Sequence, residues 1–405
     1  MRLHIPYGER LFELDVEGIE VNTYLPSPAH PVENFFEELL KRLNSPLDTM
    51  ALSYLCKGKK EACIVVDDNT RPPTGKMVLP HLLSYLRSSG VERVTIILAL
   101  GLHSPLNREQ MEKLLGDLPE SIRVINHNPE GELKETAIID NIHVELNPIF
   151  LNSPLKIVIG DVELHQIFGY GGGAKSIVPG ISDRKTITYL HSMLTHPNSA
   201  PGILNGNPVQ QFLKKIYRKV AVDFSIHVAM NQEGRPVGIF TGSLYRTFME
   251  GVRLVDRIYK LKVGKKLDTL IVSPGGYPRD IDLYQTQKVI TMVSNALEKG
   301  GRLVIFSECK RGIGPMDFIK WLNKGLSGAD VEAEINRRFS MGLHKLYLFY
   351  KGTRDRKVYL FSSLDPVSVH SAFLSPVDVK GIKRILKYGK RGGFVPYATT
   401  TLLHS

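Results

Sequence analysis

EACIVVDDNTRPPTGKMVLPHLLSYLRSSGVERVTIILALGLH, residues 61–103, holds two short apolar runs with one helix-patterned segment between them. EACIVVDD (61–68) ends in two acids and reads as a buried parallel strand. TRPPTGK then breaks regular structure, because two prolines and a glycine punctuate it. Leu79, Leu82, Leu83 and Leu86 recur at helical spacing, so a helix is expected near Leu79–Ser88, with Pro80 in its first turn, where a missing N–H costs nothing. Gly90 ends that helix, and VTIILAL (Val94–Leu100) is a second buried strand. Strand, helix, strand in this order predicts a parallel α/β sheet covered on both faces.

The same alternation extends outward. A helix near Arg108–Leu115 and strands at Ser121–Asn126, KIVIGDV (156–162) and VDFSIHVAMN (222–231) follow. LKVGKKLD (261–268) interrupts, and the pattern restarts with a strand at Leu267–Val272, the turn SPGG, and a helix near Leu283–Glu298. A strand at Arg302–Phe306, a helix near Met316–Asn323 and a strand at Lys345–Phe349 complete it. The expectation is an α/β fold of two unequal lobes with largely parallel sheets, one over 1–264 and one over 265–390. The tail 391–405 is expected to pack back on the first lobe. The active site is expected in the cleft between the lobes, outside the carboxyl ends of the strands.

The whole-chain numbers are those of a globular protein. In 405 residues there are 52 Lys+Arg, 41 Asp+Glu and 23% charged residues, which excludes a disordered chain, a fibre or a coiled coil. The formal charge of +11 raises nucleic acid as a partner, but the basic residues are scattered and no recognition motif accompanies them. An anionic small molecule suits the charge as well. No run of about 18–20 apolar residues offers a membrane span, and the start lacks a signal peptide's apolar region. Cys56, Cys63 and Cys309 are too few and too scattered for a disulfide framework. The chain reads as cytoplasmic.

Chemistry-bearing residues fall just past strand ends. Asp67, Asp68, Asn69, Thr70 and Arg71 follow the first strand, and His103, His127 and His165 follow others. Imidazole suits proton transfer near neutrality and, when neutral, metal ligation. FGYGGGAKSIVPG (168–180) is the most unusual segment: Gly171, Gly172 and Gly173 let backbone approach a ligand and could form an anion nest. Residues 169–176 nearly match a phosphate-binding P-loop, with Ala174 in place of the second glycine. Pro179-Gly180 cut short the long helix such a loop requires, so a P-loop phosphate-ligand enzyme is the weakest of the readings.

DDNTRPPT (67–74), GLH (101–103), His165 with GYGGGAKSIVPG (169–180), TYLH (188–191), NGNPV (205–209), VDFSIHVAMN (222–231) and DLYQTQK (282–288) together resemble the nickel-dependent lactate racemases and their relatives. The resemblance covers most of the chain and implies a 2-hydroxy-acid racemase or epimerase. It implies nickel carried by a pincer nucleotide, the pyridinium-3-thioamide-5-thiocarboxylic acid mononucleotide, supplied by cofactor-synthesis enzymes. Carried over, Lys175 is the covalent attachment point and His191 the protein ligand to nickel. His103 and His165 are the acid/base pair, one for each enantiomer. Arg71, Tyr284, Gln285 and Lys288 surround the substrate, and Asp68, Thr70 and Gly171–Gly173 hold the nucleotide. Imidazole suits Ni(II), and arginine's planar fork suits a carboxylate. The family usually has GTHR where this chain has Gly101-Leu-His-Ser104, which bears on substrate preference. A catalytically silent binding homologue is the alternative from another class, and intact His103, His165, Lys175 and His191 argue against it.

Overall fold

A computed structural model describes residues 1–405. The chain divides into two compact units, Pro28–Arg257 and a second one made of Met1–Ser27 with Ile258–Ser405. The expected boundary near residue 264 is close, but the first 27 residues belong with the C-terminal part.

In the larger unit six strands form one sheet, in the order Pro236–Gly242, Phe224–Met230, Lys156–Asp161, Glu61–Asp67, Arg93–Ala99, Arg123–Asn126. Five are parallel, and the edge strand Pro236–Gly242 pairs antiparallel with its neighbour. Ile64, Val65, Ile96, Ile97, Ile157, Val158 and Ile226 are fully buried, so both faces of the strands are covered, as unbroken apolar runs require. The helix Thr74–Ser88 packs Val78, Leu79, Leu82 and Leu86 into that core. It starts five residues earlier than its leucine spacing suggests, so Pro80 lies inside it, at the second turn. Asp68, His103 and His127 lie just past the strands' carboxyl ends, and His165 in the short strand Leu164–His165 that follows Lys156–Asp161.

The smaller unit is a six-stranded, wholly parallel sheet in the order Ser375–Pro376, Lys357–Phe361, Leu297–Phe306, Leu267–Val272, Arg391–Val395, Glu20–Thr23. An N-terminal hairpin, Arg2–Tyr7 with Arg10–Asp15, lays Leu3, Ile5, Tyr7 and Leu14 on its core. Tyr7, Phe12, Phe306 and Phe361 join there with ring centroids 5.1–5.5 Å apart. Two expectations are corrected here. Arg391–Val395 is a strand within this sheet and Leu402–His404 pairs with Lys260–Lys262, so the tail completes the smaller unit. Lys345–Phe349 is helical, part of Leu343–Thr353. Leu343 to Phe349 are all buried, so the apolar run reflects a helix covered all round, and the strand comes later at Lys357–Phe361.

Candidate active site

The carboxyl ends of the central strands bring together acids, a lysine and two histidines. Asp68 is buried and its carboxylate bonds His103 Nδ1. Thr70 donates to the other oxygen from its hydroxyl at 2.7 Å and its N–H at 3.3 Å. Burial pushes Asp68 up, but these bonds and the Arg71 charge outweigh it and hold the carboxyl down at about 2. An ionised carboxylate only accepts, so His103 carries its proton on Nδ1 and its lone pair on Nε2. Asp68 and Thr70, expected at the nucleotide, are bonded to each other, and Asp68 also to His103. Arg71, expected at a substrate carboxylate, pairs with Glu163.

His165 follows the neighbouring strand and is held differently. Its Nδ1 accepts from Phe168 N at 3.0 Å and Ile167 N at 3.2 Å. Its ring packs on Phe168, centroids 4.8 Å apart, and Phe168 packs in turn on His191 at 5.3 Å. His191 lies in the last turn of the helix Arg184–Ser192, which Asp183 caps by accepting from Thr186 N at 2.8 Å. Its Nδ1 bonds Ile187 O at 2.8 Å, which selects the tautomer whose lone pair is on Nε2. Burial, with the Lys175 and His103 charges, lowers it to about 4. His127 does not join this group: it is buried against Ser182 O at 2.9 Å.

Lys175 lies in the single 3-10 turn Gly173–Ser176, and no long helix follows it, which removes the P-loop reading. Burial, then the Arg71 charge, lowers its amine to about 8. Asp67 and Asp161, which end adjacent parallel strands, are its acidic neighbours. Ser176 Oγ donates to Asp67 at 2.7 Å. Asp161 Oδ2 is buried with no hydrogen-bond partner, and burial raises that carboxyl to about 7. The expected anion nest is not formed by Gly171 and Gly173. Gly171 N–H donates to Glu163 O at 2.8 Å and Gly173 N–H to His227 Nε2 at 2.8 Å, while Ala174 N–H donates to Tyr217 OH at 3.0 Å. The glycines are needed for close approach instead: a Cβ on Gly172 would collide with Asp161 O, and one on Gly173 with Tyr217 and Phe248.

Tyr284, Gln285 and Lys288 stand on the helix Leu283–Val293 of the smaller unit, capped by Asp282 accepting from Gln285 N at 2.7 Å. Lys345 Nζ lies 4.8 Å from the Tyr284 ring centroid and 3.0 Å from Gln287 Oε1. Its burial, and the charge of Lys288, push its amine well down. Sequence reading missed Lys345, hidden in a segment taken for a strand. It also missed Asp161 and Glu163, although both follow the strand-end rule that singled out Asp68, and His227, which lies inside a buried strand.

The lactate racemase N-terminal domain matches residues 7–202, and the lactate racemase C-terminal domain matches 263–340. The chain belongs to the lactate racemase family. Membership makes it an enzyme of the isomerase class. The lactate racemase of Thermoanaerobacterium thermosaccharolyticum is 29% identical over 83% of this chain and 81% of its own length. That of Lactiplantibacillus plantarum is 26% identical over 78% and 77%. In three dimensions the lactate racemase apoprotein from T. thermosaccharolyticum superposes with a TM-score of 0.90 over 100% of both chains at 24% identity. A Thermotoga maritima protein follows at 0.69 and 16% identity, over 94% and 99%. These structures share this chain's fold, whose two sheets are largely parallel, as expected from the strand pattern.

Proposed function

We propose that this lactate racemase relative racemises or epimerises a 2-hydroxy acid, lactate or a larger relative, with a nickel-pincer nucleotide attached through Lys175. The observation that carries the reading is the placement of Lys175 in the 3-10 turn Gly173–Ser176, beside Asp67 and Asp161 at the ends of adjacent strands, where its surroundings lower the amine to about 8. A lowered pKa gives the lysine a larger share of neutral amine than an ordinary lysine has, and the neutral amine is the form needed to bond an acyl-type carbon. No cluster of three or more His, Cys, Asp and Glu side chains could cage an ion. His191 Nε2, in the tautomer set by Ile187 O, suits the one protein position that the resemblance gives to nickel. The chain's residues fit the group.

When bound, the nucleotide supplies an acceptor for the hydride on the substrate carbon. The chain's own residues manage the proton. His103, fixed by Asp68, takes the hydroxyl proton at Nε2, and the carboxylate stabilises the imidazolium that results. Arg71, Tyr284, Gln285 and Lys288 are the proposed substrate contacts. Lys288 offers a point charge to an anion, and Arg71 keeps further guanidinium donors beside its bond to Glu163. The reaction is assigned to the cytoplasm, with the cofactor-making enzymes as partners in loading.

The test is to co-express the protein with those enzymes and weigh it intact. The expected result is a mass increment in the wild type that is absent from Lys175→Ala. In His191→Ala the increment should persist while bound nickel falls. An increment that survives in Lys175→Ala would move the attachment elsewhere and defeat the reading.

A further inference from the structure

The turn that presents Lys175 lies across one row of the larger unit's sheet. His227, in the strand Phe224–Met230, pairs with Gly160 of Lys156–Asp161. Asp67 continues that row on the next strand, where Val66 pairs with Ile159. Parallel partners face the same side of a sheet, so His227 and Asp67 flank a position with no side chain. The turn spans the gap: Gly173 N–H donates to His227 Nε2 at 2.8 Å, and Ser176 Oγ donates to Asp67 at 2.7 Å. A Cβ on Gly160 would lie 2.5 Å from Asp67 Oδ2 and 3.4 Å from Ser176 Oγ, so the bare position leaves room for the carboxylate and the turn. Lys175 sits between the two anchored residues. We propose that His227 is a positioning residue for Lys175, holding the Gly173–Ser176 turn through its Nε2 lone pair. The proposal rests on the reading of Lys175 as the attachment point.

The bond fixes where the ring carries its proton. A backbone N–H only donates, so Nε2 is the acceptor and the proton of the neutral ring is on Nδ1. Thr247 Oγ1 lies 3.0 Å from Nδ1 and accepts it. The threonine's own hydrogen has Ser225 Oγ at 2.7 Å and the carbonyls of Ser243 and Leu244 at 3.0 and 3.2 Å as acceptors. Both ring nitrogens are thereby satisfied inside the protein, and the residue is fully buried. Burial lowers the ring to about 3, so it stays neutral near pH 7 and its lone pair stays available to Gly173.

The turn's own backbone does not replace this acceptor. Lys175 N–H donates to Gly172 O at 3.3 Å, Ile177 N–H to Ala174 O at 3.0 Å and Gly180 N–H to Lys175 O at 3.1 Å. Those bonds close the turn after Gly173 and leave the Gly173 N–H to a side chain. Gly173 has φ +62°, and a glycine has many other conformations to escape to. A buried N–H without an acceptor is costly. Loss of Nε2 therefore frees Gly173 to rotate, and Lys175, two residues on, moves toward water with it.

Two substitutions separate an acceptor from a space-filler. Glutamine Oε1 stands as many bonds from Cα as histidine Nε2 and accepts, whereas phenylalanine keeps the ring's bulk and cannot. Lys175 is read on the unloaded chain by trace labelling with acetic anhydride across a pH series, digestion and mass spectrometry. In the wild type its labelling midpoint should lie at about 8. In His227→Phe it should rise by at least about one pH unit, toward lysine's ordinary 10.5, because burial is the chief cause of the lowering. His227→Gln should stay within about half a unit of the wild type. The reverse order, with Phe at the wild-type midpoint and Gln shifted, would show that the ring only fills space and overturn the proposal. Equal midpoints in all three would overturn it as well. Long-range ¹H–¹⁵N NMR on ¹⁵N-histidine-labelled wild type needs no variant. His227 should be protonated at Nδ1 and bare at Nε2, and a proton on Nε2 refutes the bond to Gly173 even if His227→Phe fails to fold. On co-expression with the cofactor-making enzymes, the loaded fraction should fall at least about tenfold in His227→Phe and recover in His227→Gln. A wild type that gains no mass would defeat the attachment reading instead, and the labelling order would still decide what holds the turn.

Discussion

Asp161 holds a carboxyl group whose Oδ2 has no donor to bond, in a position with 2% exposure. Burial raises it from 3.8 to about 7, partly offset by Arg71 and Lys175. The sign follows from linkage: the folded state binds this proton more tightly than the unfolded chain, so ionisation is paid for in stability. The penalty is absent below about pH 4, grows as pH rises through 4 to 7, and is complete above that window. Asp161→Asn removes the ionisation while keeping the shape. It should stabilise the unloaded protein by roughly 2–4 kcal/mol at pH 8 and have little effect at pH 4. Melting temperatures at the two pH values check this, and equal shifts at both would refute the assignment of the cost to that charge. The destabilised acid lies beside the lysine proposed to bond the cofactor, as expected where a site is built at some expense of stability.

Among the elements, the glycine turn is the least forgiving. Gly173 has φ +62°, and a Cβ there would meet the Tyr217 hydroxyl and Phe248. Gly173→Ala should cost at least about 2 kcal/mol, through backbone strain and the displaced Tyr217. A denaturant melt reads this directly, and a loss under about 0.5 kcal/mol would show that the turn yields. The glycine triplet was conspicuous in the sequence, but its purpose was not, because an N–H offered to an anion and one bonded to His227 look identical in one dimension. The central strands were legible because VVD, VTIILAL and KIVIG are apolar on both faces, as covered parallel strands must be. The same rule failed at Lys345–Phe349, where a helix buried all round presents an equally unbroken run. His103 and His165 were both visible as strand-end histidines. Their ring partners are Asp68, thirty-five residues from His103, and the Ile167 and Phe168 N–H groups at His165, which no spacing reveals.

For the whole molecule, the consequential fact is that Met1–Ser27 and Ile258–Ser405 form one unit with the larger unit inserted between them. Sequence order hid this, since the partner of Glu20–Thr23 is Arg391–Val395. Deleting residues 1–23 removes Leu3, Ile5, Tyr7, Leu14, Val16 and Val21 from the smaller unit's core and uncovers a strand edge. Limited proteolysis followed by mass spectrometry should then cut 258–405 readily and leave 28–257 resistant. Equal resistance of both segments would contradict this account of the core.

The inserted arrangement also sets an order on the newborn chain as it leaves the ribosome. The sheet of the larger unit has all its strands once residue 242 is made, so this middle portion can close early. The opening hairpin and Glu20–Thr23 have to wait for Arg391–Val395. At about 5–20 residues per second that delay is on the order of 20–70 s. Throughout it, the aromatic and aliphatic side chains of the first segment lack their sheet, a surface suited to chaperone capture until Arg391–Val395 has been made.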